Sequence, residues 1–506
     1  MKIHNRYIVY SACLFALLLG ATSCKRLLNI NQNPNYPTLA QGTPAQVFPV
    51  AVLATAGSVG GNLAILGGMW SQIFTQASLS QQYTEVDSYN LTSTDVFVQG
   101  PWDQMFVDGL KNFQYVIAQA DSVQDWNSYL MGTVMKAYTA ATLVDLYGST
   151  PYSNALEGIT NLDPKFDSGY AIYTSLIAEI DTAQGKDFSA NTNTNMGSQD
   201  LIFGGNMSSW QAFANTLKLK LYLRMVNAYP SVAQAGITAL INSGVPLIGT
   251  STGDASVTNF SNAPGQDNPL YEQNVRELNT PTNLRASVTM VSWLYANNDP
   301  RVNAYYGSTW GTPVLAIDQG NFRIISNTYG NANVFTETAK DPVEFVSMAD
   351  SYFMQAEAAV RYYGGTNAQS LYNQGVTVAF GYTGYPSDTA AAFLATGGPY
   401  AWGAEMEGGK LLTPLAQIIR QKWAASGYGC HGIESYFDFN RTGFPAKSAV
   451  YSTSASYVPG QLVVVANSVL GSGLMPKRLI YPFDEQSRNT NALPTVPITT
   501  PVWWGL

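Results

Sequence analysis

The chain offers few side chains that could carry covalent or acid–base chemistry. It has only three cysteines and two histidines among 506 residues, so a multi-histidine metal site is excluded. Cys430 and His431 are adjacent in a glycine-flanked, loop-like stretch, and sequence neighbours seldom turn their side chains toward each other, so no Cys–His nucleophile pair is expected. Phosphate-binding and dinucleotide-binding motifs are absent from the sequence. We therefore predict no catalytic residue, no metal ligand and no cofactor.

Cys24 is the one residue with a clear covalent role, lipid attachment. Lys2 and Arg6 precede an apolar run from Tyr7 to Leu19, and small residues lead from that run into the cysteine. This order is typical of a bacterial lipoprotein signal, and the run is too short for a permanent membrane span. We predict that residues 1–23 are removed and that acyl chains on Cys24 hold the protein firmly to a membrane. An ordinary cleaved secretory signal is the alternative, and it also places the protein outside the cytoplasm.

The composition narrows the class of partner. Charged residues make up 11% of the chain, aromatic residues 12%, and the net charge is -8. A negative charge argues against nucleic acid, whose backbone selects basic proteins, and against electrostatic binding to a membrane surface. A neutral partner is expected. Aromatic rings can cover the C–H patches of a sugar while amides bond its hydroxyl groups.

Seven aromatic residues are predicted to bind such a ligand. Two lie in the polar stretch 78–95 and three follow in a loop-rich region, so the two segments are expected to form opposite walls of one site. The other two open apparent helices. Ordinary core packing is the alternative for all seven. The predicted set is Trp70, Tyr83, Tyr89, Trp102, Tyr305, Tyr306 and Trp310.

Helices must position these residues, because apolar side chains recur at helical spacing along most of the chain. The helical scaffold is predicted to span about 46–243 and 347–445. Ser208 and Ser347, each followed three residues later by Gln or Asp, are predicted helix starts. Helix pairs joined by short turns, with small residues at close contacts, indicate tetratricopeptide-like stacking of helical hairpins. The predicted fold is therefore mainly α.

Loop-rich segments interrupt the scaffold. Residues 24–45 are rich in Asn and Pro and are predicted to be an extended tether below a single body, 46–506. Residues 244–346 and 380–412 are rich in Gly, Pro, Asn and Thr. Such lengths are unusual for structureless connections within a compact domain. We predict a packed, irregular subdomain with few short strands that carries the binding surface.

Motifs recur in a fixed order along most of the chain. They are Cys24, Ala140–Tyr152, Trp210–Arg224, Asn298–Arg301, Gln355–Ala358, Gln421–Trp423, Phe437–Pro445 and Pro476–Pro482, followed by Glu485 and Asn489. Taken together, and most strongly in the late motifs, they resemble the SusD/RagB family of outer-membrane nutrient-binding lipoproteins.

The resemblance implies a function for the whole chain. Members of this family are non-enzymatic proteins that lie over a SusC-type TonB-dependent transporter and capture oligosaccharides, sometimes peptides. It implies attachment to the outer membrane through the lipid anchor, with the body facing the cell exterior. It also implies a tetratricopeptide-like scaffold with a loop-rich binding region.

Two other functions remain open at this stage. A surface glycoside hydrolase needs two carboxylates about 5 to 10 Å apart in a cleft, and the sequence marks no such pair. A purely structural helical scaffold for a surface complex needs no ligand site. Burial of Tyr305, Tyr306 and Trp310 would favour the scaffold.

Several charged residues are interpreted as structural partners rather than ligand contacts. Arg441 follows Asp438, and Arg478 precedes Glu485, at spacings that allow them to join partly buried charge networks. Glu357 lies on an alanine-rich helical face and is expected to find a basic or backbone partner, because an unpaired buried charge is costly.

Overall fold

The structure, a computed structural model, describes residues 42–78, 80–309, 311–323, 331–471 and 473–506. The predicted signal segment, Cys24 and most of the predicted tether lie outside these residues. The first described helix begins at Pro44, so the last two residues predicted to belong to the tether are helical. Pro44–Leu506 clusters as one unit.

Helices dominate the first half of this unit. A π-helical segment, Gln104–Leu110, joins α4 to α5, and short 3-10 turns lie at Gly158–Thr160 and Gly197–Gln199. The helices are α1 Pro44–Gly60, α2 Asn62–Trp70, α3 Thr84–Asp87, α4 Val96–Asp103, α5 Lys111–Val123, α6 Trp126–Tyr147, α7 Gly169–Gln184, α8 Met207–Arg224 and α9 Pro230–Asn242.

The second half is also helical, including parts that the sequence predicted to be loops. A second π-helical segment, Glu272–Glu277, follows α10. The helices are α10 Pro269–Tyr271, α11 Val288–Ala296, α12 Arg301–Tyr305, α13 Met348–Tyr362, α14 Ala368–Tyr382, α15 Ser387–Leu394, α16 Pro414–Ala425, α17 Gly432–Thr442 and α18 Phe483–Arg488.

The described strands are short and form separate antiparallel pairs. They pair as β1 with β5, β2 with β3, β4 with β6, and β7 with β8, and the β4–β6 register shifts after Ala255. The strands are β1 Phe74–Gln76, β2 Thr150–Pro151, β3 Phe166–Asp167, β4 Ala255–Val257, β5 Leu284–Ala286, β6 Val343–Val346, β7 Met406–Glu407 and β8 Lys410–Leu411.

Consecutive helices form hairpins that stack on one another. The pairs α5–α6, α8–α9, α13–α14 and α16–α17 pack within themselves, α6 also packs against α7 and α8, and α13 packs against α8 and α16. This arrangement confirms the predicted fold class, a mainly α, tetratricopeptide-like scaffold with few short strands. Among the residues that the structure describes, one apolar stretch, Pro44–Trp70, is long enough to cross a membrane, but 78% of its most apolar window is buried, as in a core helix.

Local sequence signals set several helix ends. Gly148, at φ 86°, ends α6 as predicted. The Ser347 hydroxyl accepts a hydrogen bond from the Asp350 N–H at 3.0 Å, which confirms the predicted start of α13. The predicted start at Ser208 is wrong. The Asn206 side chain accepts from the Ser208 N–H at 3.0 Å, so the cap lies two residues earlier and α8 begins at Met207.

Buried ion pairs join the helices of the scaffold. Arg441 on α17 donates to Glu357 of α13 at 2.8 Å and to Asp438 at 2.9 Å, and all three side chains are buried. Burial raises the pKa of Glu357, but the Arg441 guanidinium outweighs it and holds that pKa below its usual value. The predicted charge network around Arg441 and Glu357 is therefore confirmed.

Arg478 does not form the predicted ion pair. Its guanidinium donates to the carbonyl of Tyr147 at the end of α6, while the Glu485 carboxylate accepts from Asn489 at 2.7 Å. Arg478 therefore fixes a loop to a helix, as expected, but through a backbone carbonyl. Cations near a helix C-terminus satisfy its free carbonyl groups and interact favourably with the helix dipole.

Glycines let two helices touch through their backbones. A Cβ atom added at Gly67 of α2 would lie 2.1 Å from the backbone nitrogen of Ile433 on α17. Gly432 faces the same contact, where an added Cβ would lie 2.5 Å from the Gly68 nitrogen. Such distances leave no room for any side chain, so the α2–α17 crossing depends on these glycines.

Candidate ligand-binding site

The structure buries six of the seven aromatic residues predicted to bind ligand. A ring sealed in the interior has no free face for a sugar, so the prediction is wrong for these six and core packing is the correct interpretation. Trp310 lies outside the described residues. The exposed fractions are Trp70 0%, Tyr83 1%, Tyr89 2%, Trp102 4%, Tyr305 3% and Tyr306 1%.

The buried aromatic side chains link segments that are separated in the sequence. The Trp70 indole donates to the carbonyl of Val86 at 3.0 Å and meets the Tyr89 ring edge-on at 6.2 Å. The Tyr306 hydroxyl donates to the carbonyl of Ile73 at 2.6 Å. The indole N–H of Trp70 and the hydroxyl of Tyr306 are thus satisfied within the protein, which is the usual condition for burying Trp and Tyr.

The other three buried rings also contact groups within the protein. The Tyr83 hydroxyl lies 3.0 Å from the Asn274 side-chain oxygen, and the Tyr305 hydroxyl donates to the carbonyl of Ala424 at 2.9 Å. Trp102 meets Tyr147 edge-on at 5.0 Å. These residues support the surface that lies over them.

The predicted polar stretch 78–95 does meet the loop-rich region, and the two form a cleft. The cleft lies where this stretch meets residues 319–323 rather than Tyr305 and Tyr306. A third segment, 467–469, closes the cleft, whose volume is about 410 Å³. The lining residues are Ser80, Gln81, Thr84, Glu85, Ser88, Asn90, Phe322, Arg323, Asn467 and Val469.

Asp87 lies beneath the cleft and links its first two walls, the 78–95 stretch and residues 319–323, by hydrogen bonds. Its fully buried carboxylate accepts hydrogen bonds from the Thr75 hydroxyl at 2.9 Å, the Gln76 N–H at 3.2 Å and the Gly320 N–H at 3.1 Å. The Gln319 side-chain amide donates to its other oxygen. Burial raises the pKa of Asp87 to about 6, although these donors oppose the rise.

The third wall, residues 467–469, is attached to the other two by hydrogen bonds to their backbone carbonyl groups. The Asn467 amide donates to the carbonyl of Gly320 at 2.6 Å, and the Val469 N–H donates to the carbonyl of Ser88 at 3.0 Å. Sequence reasoning missed this wall and missed Asp87. The residues 467–469 carry no pattern that separates them from other polar loops.

Exposed polar side chains give the cleft its chemistry. Gln81, Glu85, Asn90 and Arg323 are all exposed there. Together they offer amide, carboxylate and guanidinium groups, so the cleft can both donate to and accept from hydroxyl groups. The one aromatic ring among the described lining residues, Phe322, is 9% exposed, so hydrogen bonding rather than ring stacking would dominate binding.

The described residues provide no metal centre, since no three His, Cys, Asp or Glu side chains among them are grouped to hold an ion. Cys430 and His431 have different partners. The His431 Nδ1 lies 2.7 Å from the Asp350 carboxylate, while the Cys430 sulfur accepts from the Asn268 amide at 3.8 Å. Burial raises the pKa of the Cys430 thiol, which opposes formation of a nucleophilic thiolate.

Stacked helical hairpins of this kind place the chain among SusD-like folds, and solved SusD-like structures share its fold. A SusD homologue from Bacteroides uniformis superposes with a TM-score of 0.73 at 22% identity, covering 91% of this chain and 99% of its own. A chitin-binding SusD homologue from Flavobacterium johnsoniae gives 0.70 at 20% identity, with 90% and 98% covered. A SusD-like protein from Bacteroides thetaiotaomicron gives 0.67 at 20% identity, with the same coverage.

The sequence itself settles the family. Residues 54–482 match the SusD-like family described as starch-binding and associating with the outer membrane. The chain therefore belongs to the SusD-like family. A search of curated proteins finds no match.

Proposed function

We propose that this protein is a non-catalytic, lipid-anchored protein of the outer membrane that binds neutral saccharides in the loop-lined cleft. The observation that carries the proposal is the cleft itself. Three segments of a SusD-like chain converge there and present exposed Gln, Asn, Glu and Arg side chains over a rigid helical base. Such groups exchange hydrogen bonds with sugar hydroxyls.

Starch and chitin are the first ligands to test. The family description names starch binding, and a structural relative from Flavobacterium johnsoniae is described as chitin-binding. Both are neutral or nearly neutral polymers of hydroxyl-rich units. Peptides, which the family resemblance also allows, form the second class of ligand.

Delivery of the ligand to a SusC-type TonB-dependent transporter completes the proposed function. The family association with the outer membrane and the lipoprotein-type segment ending at Cys24 both support attachment to that membrane. A body facing the cell exterior would meet glycans before the transporter does. The small volume of the cleft, about 410 Å³, suits capture of a few sugar units rather than enclosure of a polymer.

Within the loop-lined cleft, the carboxyl groups fit a binding role better than glycoside hydrolysis. Hydrolysis needs two carboxyl groups facing one another across a cleft. Glu85 is the one carboxylate among the described residues lining the loop cleft. Glu344 and Glu405, whose pKa burial raises to about 8, lie in the interior and not in this cleft.

A structural scaffold without a ligand is the second candidate function. Burial of Tyr305 and Tyr306 favours it, because these residues were expected to supply stacking surfaces. A scaffold would show no saturable saccharide binding but would still associate with a partner transporter.

Affinity electrophoresis of the purified protein through gels containing soluble starch or glycol chitin tests the proposal. We expect retardation by one of these polymers and weaker retardation in Gln81→Ala. Gln82→Ala is the matched control, because Gln82 is also exposed but does not line the cleft. Release of reducing sugar from the bound polymer would replace the binding role with hydrolysis, and retention equal to that in sugar-free gels would favour the scaffold.

A further inference from the structure

A second concave surface lies on the helical scaffold, along α14. Two adjoining cavities of about 630 and 410 Å³ share Ser370 and Gln374 and form one open groove. We call it the α14 groove. Its walls come from α14, from α13, from the end of α9 and from Thr250 in the connection that follows α9.

The lining of the α14 groove is uncharged throughout its described residues. Amide and hydroxyl groups predominate, and Tyr352 and Tyr363 add phenolic groups. The lining residues are Ile241, Thr250, Tyr352, Gln355, Ala358, Ala359, Tyr363, Thr366, Asn367, Gln369, Ser370, Leu371, Asn373, Gln374, Thr377 and Val378.

One buried atom in the groove lacks a hydrogen-bond partner. The Asn373 side-chain oxygen is inaccessible to solvent, and none of the described residues donates to it. A buried polar atom without a partner is rare and costs free energy. A ligand hydroxyl would satisfy it once the Asn373 side chain turns toward the groove.

The spacing along α14 turns the polar side chains to one face. Ser370, Asn373, Gln374 and Thr377 recur three and four residues apart, which places them along the same side of the helix. From Asn367 to Val378 the groove runs about 16 Å, at 1.5 Å per helical residue. That length accommodates a short chain of sugar units.

We propose that the α14 groove is a second saccharide-binding site, taking a neutral oligosaccharide; this inference rests on the proposed function. The uncharged lining offers nothing to pair with charged peptide side chains or termini, and Val378 is the one aliphatic residue in the larger cavity. Hydroxyl groups, in contrast, both donate and accept, which matches a row of amides and hydroxyls.

A second site changes how the protein binds polymers. The groove shares no lining residue with the loop-lined cleft. A long polysaccharide that reaches both sites gains affinity from effective concentration, whereas a short oligosaccharide occupies one site at a time. The protein would therefore bind long chains more tightly than their fragments.

Asn373→Leu tests the groove without weakening the fold. Leucine keeps the branched shape of asparagine, favours helix and removes the unpartnered oxygen, so the thermal midpoint should stay equal or rise. We expect it to weaken starch binding in affinity electrophoresis roughly fivefold, the effect of one lost hydrogen bond. Gln234→Leu is the matched control, because Gln234 is exposed on α9 and lines neither site.

The double variant Gln81→Ala with Asn373→Leu separates the two sites. Binding weaker than in either single variant supports two saccharide sites. If the wild type binds starch and Asn373→Leu binds it equally well, the groove is not a saccharide site, and the proposed function still stands. If the wild type binds neither starch nor glycol chitin, the groove site and the proposed function are both rejected. If the wild type binds a neutral peptide and Asn373→Leu abolishes that binding, the groove does not take a saccharide.

Discussion

Removing the Asp87 carboxylate should destabilise both the fold and the loop-lined cleft. Asp87→Ala leaves the Thr75 hydroxyl, two backbone N–H groups and the Gln319 amide without their acceptor in a sealed site. Each unsatisfied buried donor costs about 1 to 3 kcal/mol, and these neighbours relax together, so we expect a total loss of about 3 to 5 kcal/mol. That is a large fraction of the ~5 to 15 kcal/mol that stabilises a typical domain.

Asp87→Asn is the matched variant because it keeps the shape of the side chain. Three of the donors, from Thr75, Gln76 and Gly320, converge on a single oxygen of Asp87, and an amide oxygen can occupy that position. Only the Gln319 contact is lost or reversed. The variant should therefore unfold within about 1 kcal/mol of the wild type at neutral pH.

The two variants also differ from the wild type in their pH dependence. Burial raises the Asp87 pKa from 3.8 to about 6, so the folded protein holds this proton more tightly than the unfolded chain. Its contribution to stability is greatest below pH 3.8 and falls as pH rises toward 6. The expected fall is about 3 kcal/mol, at 1.36 kcal/mol per pKa unit, and Asp87→Asn should lack it.

Urea unfolding of the three proteins at several pH values between 4 and 7, with starch retardation of the same samples, measures both effects. We expect Asp87→Ala to lose stability and starch binding together, and Asp87→Asn to retain both. An alanine variant as stable as the wild type would refute the role of Asp87, as would an asparagine variant that keeps the pH slope assigned to it.

Three further predictions concern the anchor and the core. Cys24→Ala should abolish incorporation of labelled fatty acid and move the protein out of the membrane fraction; continued labelling would disprove lipid attachment at this residue. Gly67→Ala places a Cβ against the α17 backbone and should lower the unfolding free energy by at least about 3 kcal/mol in urea titration; a change below 1 kcal/mol would contradict the close helix contact. Burial lowers the His431 pKa, but Asp350 and Glu344 raise it from 6.5 to about 9. The stability this pairing adds should be complete below pH 6.5 and decline by about 3 kcal/mol toward pH 9, and His431→Gln should lack that decline.

Features that depend on neighbouring residues could be predicted from the sequence. The start of α13 at Ser347 and the end of α6 at Gly148 follow from side-chain capping and from glycine geometry within one turn. Even here one prediction failed, because Asn206 rather than Ser208 provides the oxygen that caps α8. Two capping residues close together in sequence compete, and packing decides between them.

The burial of the aromatic residues could not be predicted, because it depends on contacts between distant segments. The Tyr306 hydroxyl bonds the carbonyl of Ile73, which lies 233 residues away in the sequence. The polar residues around Tyr83 and Tyr89 indicated that these two rings would be exposed. Those polar neighbours are exposed and form the cleft, but the two rings are buried. The residues that line the cleft and those that support it alternate within one segment.

Asp87 carries no sequence signal at all. It is one of two aspartates in the polar stretch 78–95, and its four donors come from two other parts of the chain. The meeting of the 78–95 segment with the loop-rich region was foreseen, whereas the third wall at 467–469 was not. Long-range pairing of this kind follows from the fold and not from local pattern.

Hydrogen–deuterium exchange of the wild type with and without a saturating short oligosaccharide of the retained polymer tests the central claim most directly. We expect slower exchange in segments 80–90, 319–323 and 467–469, the three walls of the cleft, and loss of that protection in Gln81→Ala but not in Gln82→Ala. Saturable binding with unchanged exchange in all three segments would contradict the claim that this cleft holds the ligand.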